Sequence, residues 1–136
     1  MAEKAFKLEI VTPRRVMFSG DVESVTAPGV VGGFQVLYNH APLLAAIGVG
    51  VVKVRIGEGQ EMHYATSGGF VDVVKNHVTM LAETAERADE IDVKRAEAAK
   101  QRAAKRLQER AAGTNEERAR VALMRALNRL RVAQRG

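Results

Sequence analysis

The sequence of 136 residues contains no cysteine and no tryptophan, and it has only two Tyr, four Phe and three Pro. The absence of cysteine excludes disulfide bonds and thiolate metal sites, so folding needs no oxidising environment. Because hydrophobic residues still make up 46% of the chain, a core must be built mainly from aliphatic side chains. The length allows one conventional domain, or one small domain with an appendage.

The sequence also lacks a long hydrophobic run. A membrane-spanning helix needs about 20 consecutive apolar residues, and the best candidate, APLLAAIGVGVV, is interrupted by one proline and two glycines. The amino-terminal segment MAEKAFKLEIVTP alternates in hydrophobicity and contains acidic residues. A signal peptide instead has a basic region followed by an apolar region. We therefore expect a soluble, cytoplasmic protein.

Charge is distributed unevenly along the chain. Residues 1–86 hold seven Lys and Arg against nine Asp and Glu, a net charge of −2. Residues 87–136 hold fourteen against seven, a net charge of +7. The residue composition changes at nearly the same point, so we expect two domains, residues 1–86 and residues 87–136.

The first domain shows the pattern of short β-strands. FKLEIV alternates in hydrophobicity, the turn GEGQ separates VVKVRI from EMHYAT, and β-branched runs flank residues 75–77. No helical stretch is long enough to connect parallel strands. The pattern predicts an antiparallel β-meander that folds into a sandwich or barrel. A strand rather than a helix follows Ser67, Gly68 and Gly69, so these residues indicate a tight turn and not a nucleophile elbow or phosphate loop.

The second domain is rich in strong helix formers. Asp89 or Asp92 can cap a first helix that runs to about Arg110 and is stopped by Gly113. The apolar stripe of this helix consists of small residues at three- and four-residue steps: Ala96, Ala99, Ala103 and Leu107.

A second helix is expected after a short connection. Thr114 followed by Glu117 has the spacing of a capping box. The stripe that follows consists of Ala119, Ala122, Leu123, Ala126, Leu127, Leu130 and Ala133. The two helices together predict an antiparallel helical hairpin. Burying an alanine removes one methyl group from water, about 0.8 kcal/mol, so we expect the hairpin to be marginal alone and able to change partners.

The histidines do not predict a metal site or a catalytic site. His40, His63 and His77 are scattered over strands and turns, without the paired spacing of metal ligands. They are read as ordinary surface or turn histidines. We expect no metal.

The hairpin carries candidate anion-binding residues. Asp92, Arg95 and Arg102 fall on one side of the first helix, and Glu86 precedes it. Arg125 and Arg129 lie four residues apart on the second helix. In an antiparallel hairpin the four guanidinium groups and two carboxylates could face one space, where a polyphosphate would serve as counter-anion. The alternative is a solvated helix face with intrahelical ion pairs.

Nucleic-acid binding is a further alternative for the basic second domain. The positive residues are interleaved with acids in the first helix, aromatic residues are absent after Phe70, and no nucleic-acid-binding motif is present. A β-sandwich adaptor whose basic hairpin binds nucleic acid stays open as an interpretation. The basic residues suit an acidic protein surface equally well.

Five segments together closely resemble the epsilon-subunit family of bacterial F-type ATP synthases over essentially the whole chain. They are VTP at 11–13, HAPLLAAIGVGVVKV at 40–54, SGGFVDV at 67–73, AERADEIDVKRAEAAKQRA at 85–103 and RALNRLRVA at 125–133. The resemblance implies an N-terminal ten-stranded β-sandwich and a C-terminal helical hairpin. It also implies a noncatalytic rotor subunit at the cytoplasmic face of the membrane.

The resemblance further implies partners and a switch. The sandwich would bind the gamma subunit and the ring of c subunits. The hairpin would permit ATP hydrolysis when folded on the sandwich, and would inhibit hydrolysis when extended along gamma among the alpha and beta subunits. A marginal basic hairpin suits such a switch, because an acidic surface can compete for it.

Family members that bind ATP carry the motif I/L-D-x-x-R-A, which residues 91–96 match in full. The resemblance therefore implies ATP as a regulatory ligand that favours the compact hairpin, with no cofactor required. The residues carried over are the same six that spacing selects: Glu86, Asp92, Arg95, Arg102, Arg125 and Arg129. Alternatively, the arginines serve only as partners for acidic residues of the stator.

The chain departs from the family before His40, an expected interface residue. Many members read GILPGHAPL, whereas this chain reads FQVLYNHAPL. Tyr38 and Asn39 thus replace proline and glycine in a turn that lies, in the family, near the contact with the c-ring and gamma. The resemblance leaves the shape of this turn open.

Overall fold

The computed structural model describes residues 4–109 and 115–136. Its described part contains eight β-strands, rather than the ten that the resemblance implies, together with a 3-10 turn at Ala88–Glu90 and two α-helices. They are β1 Phe6–Val11, β2 Val16–Val22, β3 Ser24–Ala27, β4 Phe34–Val36, β5 Leu43–Gly57, β6 Gln60–Val74, β7 His77–Ala82, β8 Ala85–Arg87, α1 Val93–Glu109 and α2 Glu116–Ala133. The predicted fold class, a β-sandwich followed by a helical hairpin, is confirmed.

All eight strands belong to one hydrogen-bonded sheet that folds over on itself. Its order is β2-β1-β7-β6-β5-β3-β4, and β8 pairs with β6. β5 and β6 are each 15 residues long and pair along nearly their whole length. One end of β6 pairs with β7 and the other end pairs with β8. The long β5–β6 ribbon therefore runs through both layers and joins them.

Two details of the predicted pairing are wrong. The strands do not form a meander, because β1 lies between β2 and β7. β1 also pairs with β7 in parallel, whereas the pattern predicts antiparallel strands throughout. After β2 the chain passes through β3 to β6 before it returns in β7, so a parallel neighbour arises without a crossover helix.

Gly68 and Gly69 do not form the predicted tight turn. Both lie inside β6, with φ of +131° and +143°. This backbone conformation is rare for residues with a Cβ atom, and it bends the strand without reversing it. The bend falls between the part of β6 that pairs with β8 and the part that pairs with β7. The two glycines therefore allow one strand to serve both layers.

The core of the sandwich is aliphatic, as the composition predicts. Phe6, Leu8 and Ile10 alternate inward along β1 and are all buried. Val, Leu, Ile and Met supply almost all of the side chains with less than 2% exposure, and Tyr64 is the one aromatic residue among those in the described part of the chain. The outward-facing side of β1 leaves Lys7 exposed.

Both helices begin at a capping side chain. The backbone N–H of Arg95 donates to Asp92 Oδ1 at 3.1 Å, so Asp92, one of the two predicted candidates, caps α1, and Asp89 does not. The backbone N–H of Arg118 donates to Asn115 Oδ1 at 3.0 Å, so Asn115 rather than the predicted Thr114 caps α2. The predicted end of the first helix, Arg110 and Gly113, and Thr114 itself lie outside the described residues.

The predicted small-residue contact between the helices is present. Ala96 and Ala103 of α1 and Ala119 and Ala126 of α2 are buried. Ala122 and Leu127 of the predicted stripe are exposed instead. The predicted stripe assumes that α2 has one buried face. In the structure α2 packs on two neighbours, α1 and the sandwich, so its buried residues do not follow a single stripe.

α2 contacts the sandwich through a thin second interface. Val132 packs with Ala65, Ala88 and Ile91 in a cluster separate from the main core. The buried Asn128 reaches across from α2, and its Nδ2 donates to the backbone oxygen of Gly50 in β5 at 2.8 Å. This small interface, with one buried amide that specifies its register, is suited to reversible docking.

The turn before His40 has a defined shape. Asn39 adopts the left-handed conformation, with φ of +62°, which a glycine at this position also adopts readily. Its N–H donates to Asn76 Oδ1 at 2.7 Å, and Asn76 Nδ2 donates to Asn39 Oδ1 at 2.9 Å. His40 Nδ1 donates to the backbone oxygen of Ala41 at 2.6 Å. The asparagine pair therefore ties this turn to the β6–β7 turn.

Candidate functional site

A cleft of about 1000 Å³ lies between the sandwich and the hairpin. One wall is formed by the β1–β2 turn and by residues 83–86, which lead into and form part of β8. The opposite wall is the first part of α1, and Arg129 of α2 also lines the cleft. The site exists only while the hairpin lies on the sandwich, because both domains supply its walls.

Five of the six residues selected from the sequence line this cleft. They are Glu86, Asp92, Arg95, Arg102 and Arg129. The sixth, Arg125, lines a small adjoining cavity of about 10 Å³ together with Ser67, Thr84 and Asn128. The fold thus brings together residues from β8, α1 and α2 that are up to 43 positions apart in the sequence.

Each carboxylate of the cleft already has a partner. Arg129 Nε donates to Glu86 Oε1 at 2.6 Å, and both side chains are about one third exposed. Glu83 lies 3.9 Å from Arg125 Nη2. Asp92 is occupied through Oδ1 by the α1 cap and retains its other carboxylate oxygen for further hydrogen bonds.

The arginines, in contrast, outnumber the anions. Arg14, Arg15, Arg95, Arg102 and Arg129 line the cleft with three carboxylates. Within residues 4–109 and 115–136, the side chains of Arg14, Arg95 and Arg102 form neither an ion pair nor a hydrogen bond. Like charges gathered in a partly enclosed site repel one another unless an anion is present. The geometry is therefore suited to binding an anion with several charges.

Arg14 and Arg15 are not among the residues selected from the sequence. They are consecutive arginines that follow Thr12 and Pro13 in the β1–β2 turn. Nothing in the local pattern shows that this turn lies beside a helix about 80 residues later. Their charge is the one signal in the sequence that could have drawn attention to them.

Arg125 has a buried nitrogen that needs a partner. Among the described residues, its Nε is the buried side-chain atom without a hydrogen-bond partner. The adjoining cavity is about the size of one water molecule, and the Ser67 and Thr84 hydroxyls at its wall hydrogen-bond to each other at 2.6 Å. One water molecule in this cavity, beside the main cleft, would accept a hydrogen bond from Arg125 Nε.

A cluster of ion pairs formed by Arg87, Asp89 and Glu90 lies beside Arg15, whose Nη2 is 3.8 Å from Glu90 Oε2. Arg87 Nε donates to Asp89 Oδ1 at 2.6 Å, and this hydrogen bond holds the pKa of Asp89 below its usual value. Arg87 Nη2 also lies 3.3 Å from Glu90. Arg87 therefore partly neutralises the two carboxylates of this cluster.

Among the described residues, no cluster of three or more potential metal ligands occurs. His63 lies apart from the cleft on β6, where burial and the nearby Arg135 lower its pKa. What the cleft supplies is a set of guanidinium forks, which bind phosphate or carboxylate oxygens two at a time.

A row of apolar residues forms a second candidate surface on the outer face of one layer. The row crosses five neighbouring strands through paired positions: Ala46, Phe70, Leu81, Val11 and Val16. Phe70, Leu81 and Val16 are each 54–55% exposed. We call this set the apolar row. Exposed apolar residues in a continuous row are typical of a protein contact.

The apolar row is absent from the sequence predictions. Its members come from strands whose neighbours the pattern does not determine, so their alignment becomes visible only in the folded sheet.

In the described part of the chain, neither helix is long and apolar enough to cross a membrane.

Comparisons with known proteins agree with this architecture. Residues 5–88 match the family model of the ATP synthase delta/epsilon chain β-sandwich domain. Residues 89–134 match the model of the delta/epsilon chain long α-helix domain. Together the two models cover nearly the whole chain.

Similar proteins include the ATP synthase epsilon chain of Syntrophomonas wolfei, which is 45% identical over 99% of this chain and 98% of its own length. The epsilon chain of Moorella thermoacetica is 46% identical over 95% and 96%. A chain in the Euglena gracilis mitochondrial ATP synthase shares the fold, with a TM-score of 0.77 and 21% identity over 88% of this chain and 76% of that one. This chain therefore belongs to the ATP synthase delta/epsilon family, among the epsilon chains, which are noncatalytic subunits of the F-type ATP synthase.

Proposed function

We propose that this chain is a regulatory subunit of the ATP synthase rotor whose hairpin binds ATP when it lies on the sandwich. The observation that carries the proposal is the cleft in which Arg95 and Arg102 have no anionic partner among the described residues. In its extended form the hairpin inhibits ATP hydrolysis, so ATP in the cleft relieves inhibition. This proposal replaces the nucleic-acid-binding alternative, because the family accounts for both domains.

ATP fits the chemistry of the cleft. Its triphosphate supplies the oxygens that the guanidinium groups of Arg95 and Arg102 can hold by forked donation. The carboxylate of Asp92 can accept hydrogen bonds from the adenine amino group or the ribose hydroxyls. The volume of about 1000 Å³ is at the upper end of the range for small-molecule sites.

ATP would act on the hairpin by mass action. A ligand that binds only the compact form stabilises it by about 2.7 kcal/mol at 100 times the dissociation constant. The interface to be stabilised is small: the cluster around Val132, the Asn128 hydrogen bond and the Glu86–Arg129 pair. A stabilisation of this size is sufficient to change the populations of two forms with similar free energies.

The partners follow from the two surfaces outside the cleft. We place gamma on the apolar row, because an exposed row of this kind is buried favourably by a partner. We place the c-ring at the turn containing His40, where the Asn39–Asn76 pair pre-organises the contact. The net positive charge of the hairpin suits acidic surfaces of the alpha and beta subunits when it extends.

Removing the two unpaired helix arginines tests the ATP site. In calorimetric titration of the isolated protein, Arg95→Ala/Arg102→Ala should weaken ATP binding at least about 100-fold, because two charge-assisted contacts of about 1.5–3 kcal/mol each are lost. Alanine keeps helix propensity, so α1 should stay folded. Asp92→Asn is the informative change at the cap, because asparagine also caps a helix while it removes the carboxylate charge.

Lys94→Ala/Lys105→Ala is the matched control for this titration. It removes two positive charges from the same helix, from exposed positions outside the cleft, and it should change ATP affinity less than threefold. Wild-type protein that does not bind ATP, or an arginine variant that behaves like the lysine control, would contradict the proposed site.

A further inference from the structure

We propose that Arg14 and Arg15 form a second arginine wall of the ATP cleft, so that bound phosphates are held from the sandwich as well as from the hairpin. The inference rests on the proposed ATP site and adds to it the residues by which ATP links the two domains. Arg14 and Arg15 line the cleft on the sandwich side, opposite α1 with Arg95 and Arg102.

The two arginines project from a well-defined turn. The backbone N–H of Thr12 donates to the oxygen of Arg15 at 3.0 Å, and the Thr12 hydroxyl donates to the same oxygen at 3.1 Å. The backbone N–H of Arg15 donates to Thr12 Oγ1 at 3.3 Å. Pro13 restricts the backbone further, and the paired strand residues Val11 and Val16 close the loop. The turn therefore fixes the backbone of Arg14 and Arg15 beside the cleft, so that only their side chains must be ordered when an anion binds.

Both guanidinium groups can accept an anion. Arg14 makes no ion pair or side-chain hydrogen bond in the described part of the chain. Arg15 contacts Glu90 at 3.8 Å, with side chains that are 67% and 47% exposed. A long, exposed pair of this kind contributes little stability, and Glu90 also has Arg87 at 3.3 Å. Arg15 can therefore turn from Glu90 to a phosphate at low cost.

The second arginine wall would allow ATP to link the hairpin to the sandwich. Phosphates held only by Arg95 and Arg102 would stabilise the hairpin without connecting it to the sandwich. Phosphates that also contact Arg14 and Arg15 connect the β1–β2 turn to α1, and the repulsion between the two walls is then relieved across the domain interface. ATP therefore acts as a noncovalent link that opposes extension of the hairpin.

The test is a calorimetric titration of full-length Arg14→Ala/Arg15→Ala with ATP at several salt concentrations. We expect affinity to fall about 10-fold, which corresponds to 1.4 kcal/mol, and the dependence of affinity on salt to become weaker because fewer charged contacts remain. Arg14→Glu/Arg15→Glu should weaken binding further. Without ATP the thermal midpoint of each variant should match that of the wild type, since the turn is exposed.

Lys94→Ala/Lys105→Ala, with the same change in net charge, separates a local contact from a general loss of positive charge. If wild-type protein binds ATP and Arg95→Ala/Arg102→Ala does not, but Arg14→Ala/Arg15→Ala behaves like the lysine control, the second wall is refuted while the ATP site stands. If the wild type itself does not bind ATP, both the site and the second wall are refuted.

Discussion

Phe70→Glu combined with Leu81→Glu should abolish binding to the gamma subunit and leave the isolated chain folded. Phe70 and Leu81 are paired across β6 and β7, and each is more than half exposed. Glutamate at these positions stays in water in the free protein, but the two paired carboxylates repel each other, so the free energy of unfolding should fall by about 1–2 kcal/mol without unfolding the chain. In a complex the two carboxylates would be buried without partners, and one unpaired buried charge already costs several kcal/mol.

The measurement is co-purification and surface binding with gamma, and we expect at least a 100-fold loss of affinity. Val93→Glu/Met124→Glu is the matched control, because these side chains are 51% and 49% exposed and lie on the hairpin, away from the apolar row. It should retain gamma binding. Retained binding by the Phe70 and Leu81 variant would remove the apolar row from the interface, and equal loss in both variants would indicate a general effect of charge.

Gly69→Ala should prevent stable folding of the sandwich. A Cβ atom at this position would collide with the backbone oxygen of Leu81 and would lie 2.9 Å from the Ala82 Cα. The φ of +143° is also strained for alanine. Neither contact can be relieved by moving a flexible side chain, because both involve the backbone of β7. We expect a loss of about 4 kcal/mol or more, a large part of the stability of a typical domain.

Urea denaturation followed by circular dichroism measures this loss. Gly33→Ala is the control, because its added Cβ atom would meet only an ordinary contact, 3.7 Å from the Ala27 oxygen. Its midpoint should stay close to that of the wild type. A Gly69→Ala midpoint equal to that of the control would show that the two layers do not require this bend in β6.

Local chemistry was readable from the sequence in several places. The alternation of Phe6, Leu8 and Ile10 identifies the buried face of β1. Asp92 caps α1, as one of the two candidates that the sequence offers. Arg95 and Arg102 lie seven residues apart, and two turns of helix place both along the cleft. These features depend on residues close together in the chain, where the period of the helix or strand determines the side to which each side chain points.

Features that depend on distant pairing were not readable. The parallel register of β1 with β7 joins segments about 70 residues apart, and the apolar row depends on that register. Gly68 and Gly69 suggested a turn because glycine frequency does not distinguish a bend from a reversal. Asn115 caps α2 although Thr114 has the spacing of a capping box, because both residue types cap well and the spacing alone does not determine which one does.

Hydrogen exchange of the hairpin amides in the isolated protein, with and without saturating ATP, tests most directly whether ATP holds the hairpin on the sandwich. If ATP in the cleft holds the hairpin on the sandwich, exchange in Val93–Glu109 and Glu116–Ala133 should slow at least about 10-fold, while the sandwich core stays unchanged. The slowing should disappear in Arg95→Ala/Arg102→Ala. Hairpin exchange that is indifferent to ATP, or slowed equally in that variant, would contradict the claim.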